Sequence, residues 1–181
     1  MPYHVTEKTF EYLAVKLRKN KITRGRLAYD QIKMVFPEKS EDEIDVILKK
    51  TFRMMALTGV ESYLGDSEKL LKRCRTERLE ILEEALKLRK GVLLATGHFG
   101  NWELAGKFLA TKYPPVGVII KKQRNRYFNE YTNRSRNKYG IVLIYLRNSL
   151  RQTMQLLKKN GIVAILTDQN AGKNGVKLDF L

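Results

Sequence analysis

Four short apolar runs, separated by segments of helix length, constrain the fold of this chain more than any other feature. The runs are residues 91–96, 116–120, 141–145 and 162–166. Apolar runs of this length, without alternation, are typical of strands that are buried on both faces of a sheet. Residues 101–111, 125–138 and 149–160 lie between them as predicted helices, and Gly140 and Gly161 stand where the last two should end. The alternation predicts an α/β fold with a mostly parallel sheet and right-handed crossover helices.

The first ninety residues are predicted to be helical. Amphipathic spacing predicts helices at residues 8–20, 26–36 and 78–89, and the second of these ends before Pro37. Ser40 and Glu43 form a capping-box pattern, which predicts a helix that continues to residue 63. We predict a helical N-terminal region at residues 1–90 and an α/β core at residues 91–181, together one domain. Residues 176–181 have the pattern of a further strand, so we expect the core to be cut short there.

Composition and charge restrict the kind of partner. The chain of 181 residues is 43% hydrophobic and 30% charged, which indicates a folded protein rather than a disordered one. Its apolar runs fall short of the roughly 18 residues that a membrane-spanning helix needs. One cysteine, Cys74, leaves no internal disulfide framework and fits a reducing compartment. The net charge is +16, and residues 91–181 hold 15 Lys and Arg against 4 Asp and Glu. Such a surface attracts nucleic acid, acidic lipid headgroups or an acidic protein, and charge alone does not choose among them.

The segment from Thr96 to Glu103 directly follows the first predicted strand, at the edge where α/β sheets bind their ligands. His98 and Glu103 are five residues apart and would point about 140° away from each other on one helix. They meet only if His98 lies in the loop and Glu103 enters from the next helix, which Asn101 is suited to cap. A carboxylate beside an imidazole fixes its tautomer and stabilises the imidazolium, so His98 is a candidate general base with Glu103 as its partner. The alternative is a histidine at a strand end and an unrelated surface glutamate.

The surroundings of this segment narrow the chemistry further. Since no serine or cysteine lies nearby, direct attack by a substrate hydroxyl is favoured over a covalent enzyme intermediate. His4 is the other histidine of the chain, and we predict neither a metal site nor a bound cofactor. The backbone N–H groups of Gly100 and Asn101, at the start of the helix, are candidate donors to an oxyanion. Trp102 is interpreted as a packing residue beside the site.

Two arginines and one aspartate are further candidates. Arg134 and Arg136 are two residues apart and diverge on an ideal helix, but both could flank a cleft and bind phosphate through their guanidinium groups. The alternative is a solvated helix face. Asp168 follows the fourth predicted strand and could orient a group of the site, although aspartate also commonly begins turns. The aromatic residues of the same helix as the arginines are interpreted as core side chains: Tyr127, Phe128 and Tyr131.

These segments resemble a known family. Residues 98–103, His-Phe-Gly-Asn-Trp-Glu, resemble the His-four-residues-Glu motif of the lipid A late acyltransferases, with their Asn-Trp-Glu ending. Arg134-Ser135-Arg136 followed by Gly140 resembles the arginine pair of that family, and residues 167–172 resemble its Asp-Gln loop. Residues 37–40 resemble the signature that precedes its helical region. The similarity covers residues 25–181, and it extends to the wider lysophospholipid and glycerolipid acyltransferase group, which more often has Asp in place of Glu103.

The resemblance implies an enzyme that moves a fatty acyl group from an acyl-carrier-protein or coenzyme A thioester to a hydroxyl of an anionic lipid, such as a lipid A precursor. It implies action at the cytoplasmic face of the bacterial inner membrane. It also implies catalytic roles for His98 and Glu103, and substrate-binding roles for Arg134, Arg136 and Asp168. The membrane anchor and the last third of the family are expected to be missing from this chain. The alternatives are an acyltransferase for another lysophospholipid or glycolipid, a membrane-surface scaffold, and a basic nucleic-acid-binding module. The sequence has no recognisable nucleic-acid-binding motif.

Overall fold

The computed structural model describes residues 3–17, 24–64, 67–113 and 115–169. These residues form two compact units, Met1–Ser67 and Glu68–Leu181. The first contains helices α1 (Tyr3–Leu17), α2 (Gly25–Val35) and α3 (Glu41–Gly59) and a π-helical turn (Val60–Leu64). Helix α4 (Ser67–Arg73) lies at the boundary between the two units. The second unit continues with α5 (Leu79–Lys87), β1 (Val92–Thr96), α6 (Trp102–Lys112) and β2 (Val116–Ile120). It ends with α7 (Arg126–Lys138), β3 (Val142–Tyr145), a 3₁₀ turn (Leu146–Asn148), α8 (Ser149–Lys158) and β4 (Ile162–Leu166).

The predicted boundaries are mostly within two residues of these elements, although α4 and the two irregular turns were not predicted. That residues 1–90 and 91–181 together form one domain stays a prediction. The predicted strand at residues 176–181 and the end of the Asp-Gln loop lie outside the described residues. Within the described ranges, none of the helices has the length and apolar composition to cross a bilayer.

The helical unit is organised around α3, on which α1 and α2 pack. The predicted capping box is present: Ser40 Oγ accepts from the Glu43 N–H at 3.4 Å, and the Ser40 N–H donates to Glu43 Oε2 at 3.0 Å. The inward face of α3 buries apolar side chains at helical spacing: Ile44, Leu48 and Phe52. The helix was predicted to reach residue 63, but it ends at Gly59 and continues as the π-helical turn.

The second unit contains a four-stranded sheet in the order β1-β4-β2-β3. All three strand pairs are parallel, with Val92 and Val116 both in register with Ile162, and Gly117 with Val142. This confirms the α/β class and the parallel sheet. Because the strands are parallel, the loops that follow all four of them lie at one edge.

Helices cover both faces of the sheet. On one face, residues of α5 and α6 pack on the strands around a buried cluster: Ala110, Val116, Ile141 and Ile162. On the other face, α8 packs on a second cluster: Ile144, Leu156 and Val163. The alternation of Ile162 and Val163 between the two clusters shows that β4 is buried from both sides, as its apolar run predicts.

Strand β1 differs from this prediction. It was expected to be buried on both faces, but its side chains alternate, and Leu93 is 57% exposed. Leu93 is in register with Val163, so it faces the side of the sheet that α8 covers. Helix α8 packs on β2, β3 and β4, whereas β1 lies at the edge of the described sheet beyond them. The apolar run therefore predicts the strand correctly but not its one open face.

The helices that precede β3 and β4 end at different types of residue. Gly140 has the left-handed φ of +73° that its position predicts. Before β4 the left-handed residue is Asn160, with φ +57°, and Gly161 donates its N–H to Leu156 O at 3.0 Å. Asparagine tolerates this conformation, and its side chain accepts from the Gly91 N–H at 3.1 Å. That contact joins the end of α8 to the start of β1.

Candidate active site

The loop from β1 to α6 brings its side chains to the carboxyl edge of the sheet. A Cβ at Gly97 would lie 2.6 Å from the Phe99 ring and 3.1 Å from Asp168 Cγ, so a side chain there would crowd both residues. Gly100 has φ +52°, which lets the chain turn into the helix. Asn101 is the N-cap of α6, as predicted, and its Oδ1 accepts from the Leu104 N–H at 2.9 Å. These contacts fix where the helix starts, and so where Glu103 points.

The imidazole of His98 pairs with Asp168, which follows β4. His98 Nδ1 lies 2.9 Å from Asp168 Oδ1, and the His98 backbone N–H donates to Asp168 Oδ2 at 2.9 Å. About a third of each side chain is exposed, 31% for His98 and 34% for Asp168. The ring of Trp102 meets the imidazole edge-on, with the ring centroids 4.7 Å apart. The two oxygens of one carboxylate therefore hold both the backbone and the ring of His98.

This pairing keeps Asp168 ionised and orients the imidazole of His98. Burial acts to raise the pKa of Asp168, but the hydrogen bonds from the His98 N–H and imidazole outweigh it and lower that pKa below 3.8. The carboxylate is thus ionised at neutral pH and can only accept, so Nδ1 is the donor in this hydrogen bond. In the neutral ring with this tautomer, Nε2 is the nitrogen that can take a proton from a hydroxyl.

Glu103 pairs with an arginine. Its carboxylate receives two parallel hydrogen bonds from Arg136, Nε to Oε2 at 3.0 Å and Nη2 to Oε1. Both side chains are largely buried, with 9% of Glu103 and 16% of Arg136 exposed. A bidentate pair in such a site is geometrically rigid. The pair joins the first turn of α6 to the last turn of α7.

A cavity of about 470 Å³ opens beside these pairs. Its polar lining includes His98, Glu103 and Arg136, and Trp102 contributes to its wall. Much of the remaining lining is apolar, from side chains of the sheet and α6: Leu94, Leu109, Val118, Ile141, Ile165 and Leu166. A cavity of this size with convergent polar groups at an apolar wall is typical of a small-molecule site. A second cavity of about 460 Å³ lies in the helical unit and is lined by none of the predicted site residues.

The comparison with known proteins decides the family. The whole chain, residues 1–181, matches the family described as bacterial lipid A biosynthesis acyltransferase. The chain belongs to this family. The resemblance inferred from the sequence motifs is thereby confirmed.

Relatives of this lipid A acyltransferase family member are 25–30% identical to it over the aligned residues. A lipid A biosynthesis palmitoleoyltransferase of Escherichia coli K12 is 25% identical over 155 residues, which cover 84% of this chain and 50% of that protein. A phosphatidylinositol mannoside acyltransferase of Mycolicibacterium smegmatis is 26% identical over 117 residues, 58% of this chain and 37% of the relative. A lipid A biosynthesis acyltransferase of Haemophilus influenzae is 30% identical over 99 residues, 52% of this chain and 31% of the relative. The chain spans half or less of the length of these relatives.

Three of the segments that carry the family resemblance, around residues 98–103, 134–136 and 168, meet at one place, but in pairs that the sequence did not predict. His98 was predicted to contact Glu103, whereas in the described residues its ring hydrogen bond goes to Asp168 and Glu103 binds Arg136. Arg134 and Arg136 diverge as their spacing indicates. The Arg134 side chain is 82% exposed, and its Nη2 lies 3.9 Å from Glu130 Oε2. Of the two, only Arg136 lines the cavity.

The structure corrects the predicted burial of the α7 aromatics and adds a buried lysine that the sequence analysis did not single out. The aromatic residues of α7 were interpreted as core, but they are exposed, at 82%, 46% and 47%: Tyr127, Phe128 and Tyr131. The reason is that the buried face of α7 is the one with Thr132 and Arg136, which packs toward β3 and α6. Sequence reasoning also missed Lys107, which is buried one turn after Glu103. The available signal was the Glu-Lys spacing of four on a helix.

Proposed function

We propose that the protein catalyses transfer of a fatty acyl group from a thioester to a hydroxyl of an anionic lipid. The observation that supports this most directly is the His98–Asp168 pair, which lies at a cavity with an apolar wall and leaves Nε2 free to accept a proton. Family membership favours acyl transfer over other reactions that begin with an activated hydroxyl. The cavity wall suits an acyl chain, and the positive charge of the chain suits an anionic lipid and an acidic carrier.

In the proposed reaction the acceptor hydroxyl attacks the thioester carbonyl while His98 Nε2 takes its proton. Asp168 stabilises the imidazolium that forms, as the carboxylate of a catalytic triad does. Negative charge develops on the carbonyl oxygen, for which the N–H groups of Gly100 and Asn101 are candidate donors. The C–O bond is then complete, the C–S bond breaks, and the proton moves from Nε2 to the leaving thiolate. No covalent enzyme intermediate and no bound cofactor are needed.

Glu103 has a different role in this proposal from the one that the sequence suggested. It holds the guanidinium of Arg136 at the cavity wall, where a phosphate of the acceptor or the developing oxyanion can meet a cation. Arg134, exposed on the outer face of α7, is left to bind headgroups at the membrane surface. A carboxylate one methylene shorter, as in Glu103→Asp, should retain part of the activity if it still reaches Arg136.

The names of the relatives support one class of acceptor. One relative is named for lipid A biosynthesis and another for phosphatidylinositol mannoside. We therefore propose a phosphorylated glycolipid acceptor, met at the cytoplasmic face of the inner membrane. A lipid A precursor is the first acceptor to test, and a phosphatidylinositol mannoside is the second.

The test is acyl transfer from acyl-carrier-protein and coenzyme A thioesters to each acceptor, by the unmodified protein and by His98→Ala. Removal of a general base typically lowers the rate by about 10²- to 10⁴-fold, so His98→Ala should fall in that range. The melting temperature should change little, because His98 lies in a partly exposed loop. His4→Ala, which replaces an exposed histidine of α1, is the matched control and should keep full activity. Near-normal turnover by a folded His98→Ala protein would refute the proposed base.

A further inference from the structure

Lys107 is a buried cation that the proposed reaction does not use. Its side chain lies on α6, one helical turn after Glu103, and the residue is 1% exposed. An ammonium group loses most of its hydration at such a position, which is costly unless opposite charge and polar groups replace the water. A neutral side chain of similar length would avoid this cost.

The groups around Lys107 come from two helices. Glu103 approaches from α6 itself, and Arg136, Lys138 and Tyr139 come from α7 and the residue after it. The Nζ atom lies 5.4 Å from the centre of the Tyr139 ring, within range of a cation–π contact. Burial lowers the pKa of Lys107, and the positive charges of Arg136 and Lys138 lower it further, while the Glu103 carboxylate opposes them. Glu103 is thus shared between two cations, Arg136 and Lys107.

We propose that Lys107 is a positioning residue that fixes the Glu103 carboxylate from the side of α6, and so fixes Arg136 at the wall of the catalytic cavity. Arg136, on α7, donates two hydrogen bonds to the Glu103 carboxylate. Lys107, on the same helix as Glu103, also attracts this carboxylate electrostatically. Two cations against one carboxylate also leave the wall with an excess positive charge, which suits an anionic group in the cavity. This inference rests on the proposed function, since the cavity matters only if chemistry occurs there.

The first test compares Lys107→Met and Lys107→Arg in the acyl-transfer assay. Lys107→Met keeps the shape of the side chain without its charge, and we expect kcat to fall about tenfold with little change in the KM for the thioester. Lys107→Arg should recover most of the activity, because a guanidinium keeps the charge and can stack on Tyr139. It should also move the alkaline limb of the pH–rate profile to higher pH, since the guanidinium does not lose its proton there.

Lys112→Met is the matched control, because Lys112 lies on the same helix and is 44% exposed beside Glu83. It should leave kcat and the pH profile unchanged. A folded Lys107→Met protein with normal kcat and a normal alkaline limb would overturn the proposal, as would failure of Lys107→Arg to restore activity.

The second test does not depend on activity. A double-mutant cycle in urea denaturation combines Lys107→Met with Glu103→Gln. Lys107→Met should be less destabilising, or more stabilising, in the Glu103→Gln background than in the unmodified protein, because Lys107 and Arg136 repel each other when no carboxylate lies between them. Additive losses would show that Lys107 does not act through Glu103. If the protein transfers no acyl group at all, the proposed function fails while this cycle still decides the role of Lys107.

Discussion

Replacement of Asp168 by asparagine tests the catalytic pairing most directly. The amide is the same size as the carboxyl, and its oxygen can still accept from the His98 backbone N–H, so the loop keeps its shape. The amide NH₂, however, would face His98 Nδ1 in place of the carboxylate oxygen. The amide therefore favours the tautomer in which Nδ1 accepts and Nε2 carries the proton, so the tautomer that can take the proton of the hydroxyl is less populated.

The expected magnitude follows from the exposure of the pair. A hydrogen bond to a charged group contributes about 1.5–3 kcal/mol, which corresponds to roughly 10- to 150-fold in rate. Because His98 and Asp168 are each about one-third exposed, water screens part of this interaction. We therefore expect Asp168→Asn to lower kcat by about 10- to 100-fold, less than the loss for His98→Ala.

The assay measures acyl transfer at saturating thioester, with the unmodified protein, Asp168→Asn, Glu103→Gln and the control Asp30→Asn. Asp30 is a fair control because it is a surface residue in an ion pair with Arg26. If Asp168→Asn stays within twofold of normal kcat while Glu103→Gln abolishes turnover, the reasoning is refuted. The partner of the imidazole during the reaction would then be Glu103, as the sequence suggested.

The pH dependence of stability gives a second readout of the same pair. The folded-state pKa of Asp168 is lowered, so its contribution to stability is present above the ordinary value of 3.8 and is lost as the pH falls through the lower folded-state value. The difference in unfolding free energy between the unmodified protein and Asp168→Asn should be visible at neutral pH. It should vanish in acid below that window. A difference that persists there would have to come from shape rather than from charge.

Two further predictions concern the arginines and the membrane. Arg136→Ala should lower the free energy of unfolding in urea by about 3–5 kcal/mol, because it leaves the Glu103 carboxylate buried without its partner. Arg134→Ala should change this free energy little, since Arg134 is 82% exposed. Equal effects of the two substitutions would contradict the difference in burial. Binding to anionic vesicles should weaken steeply as salt rises, because the attraction of the +16 chain is screened over about 8–10 Å at physiological ionic strength. Equally tight, salt-independent binding to neutral vesicles would exclude this electrostatic basis.

The fold was largely predictable because its strongest signals are local. A short apolar run bounded by turn residues indicates a strand from the local sequence, and the four predicted strands that fall within the described residues are present. Ser40 and Glu43 lie three residues apart, so their capping contact needs nothing from the rest of the chain. What failed depends on distant packing. The open face of β1 and the exposed aromatics of α7 follow from where α8 and α7 lie on the sheet, which strand and helix patterns do not contain.

The partner of His98 likewise depends on packing between distant parts of the chain. Glu103 and Asp168 were both predicted at the carboxyl edge of the sheet, and either carboxylate could have reached the imidazole of His98. Glu103 was preferred because it belongs to the same His-four-residues-Glu segment as His98, while Asp168 is separated from His98 by 70 positions. The strand order reverses that preference: β4 is the neighbour of β1, so the loops after these two strands lie side by side.

Helix α6 completes the reversal. Its N-cap at Asn101 sets the helix phase, and that phase turns the Glu103 side chain toward α7, where Arg136 binds it. On one helix, residues five apart diverge by about 140°, so the loop would have had to bend sharply to bring Glu103 back to His98. A pairing across adjacent parallel strands needs no such bend. For a histidine that follows one strand of a parallel sheet, the acidic residue after the neighbouring strand is therefore a stronger candidate partner than one a turn further along the chain.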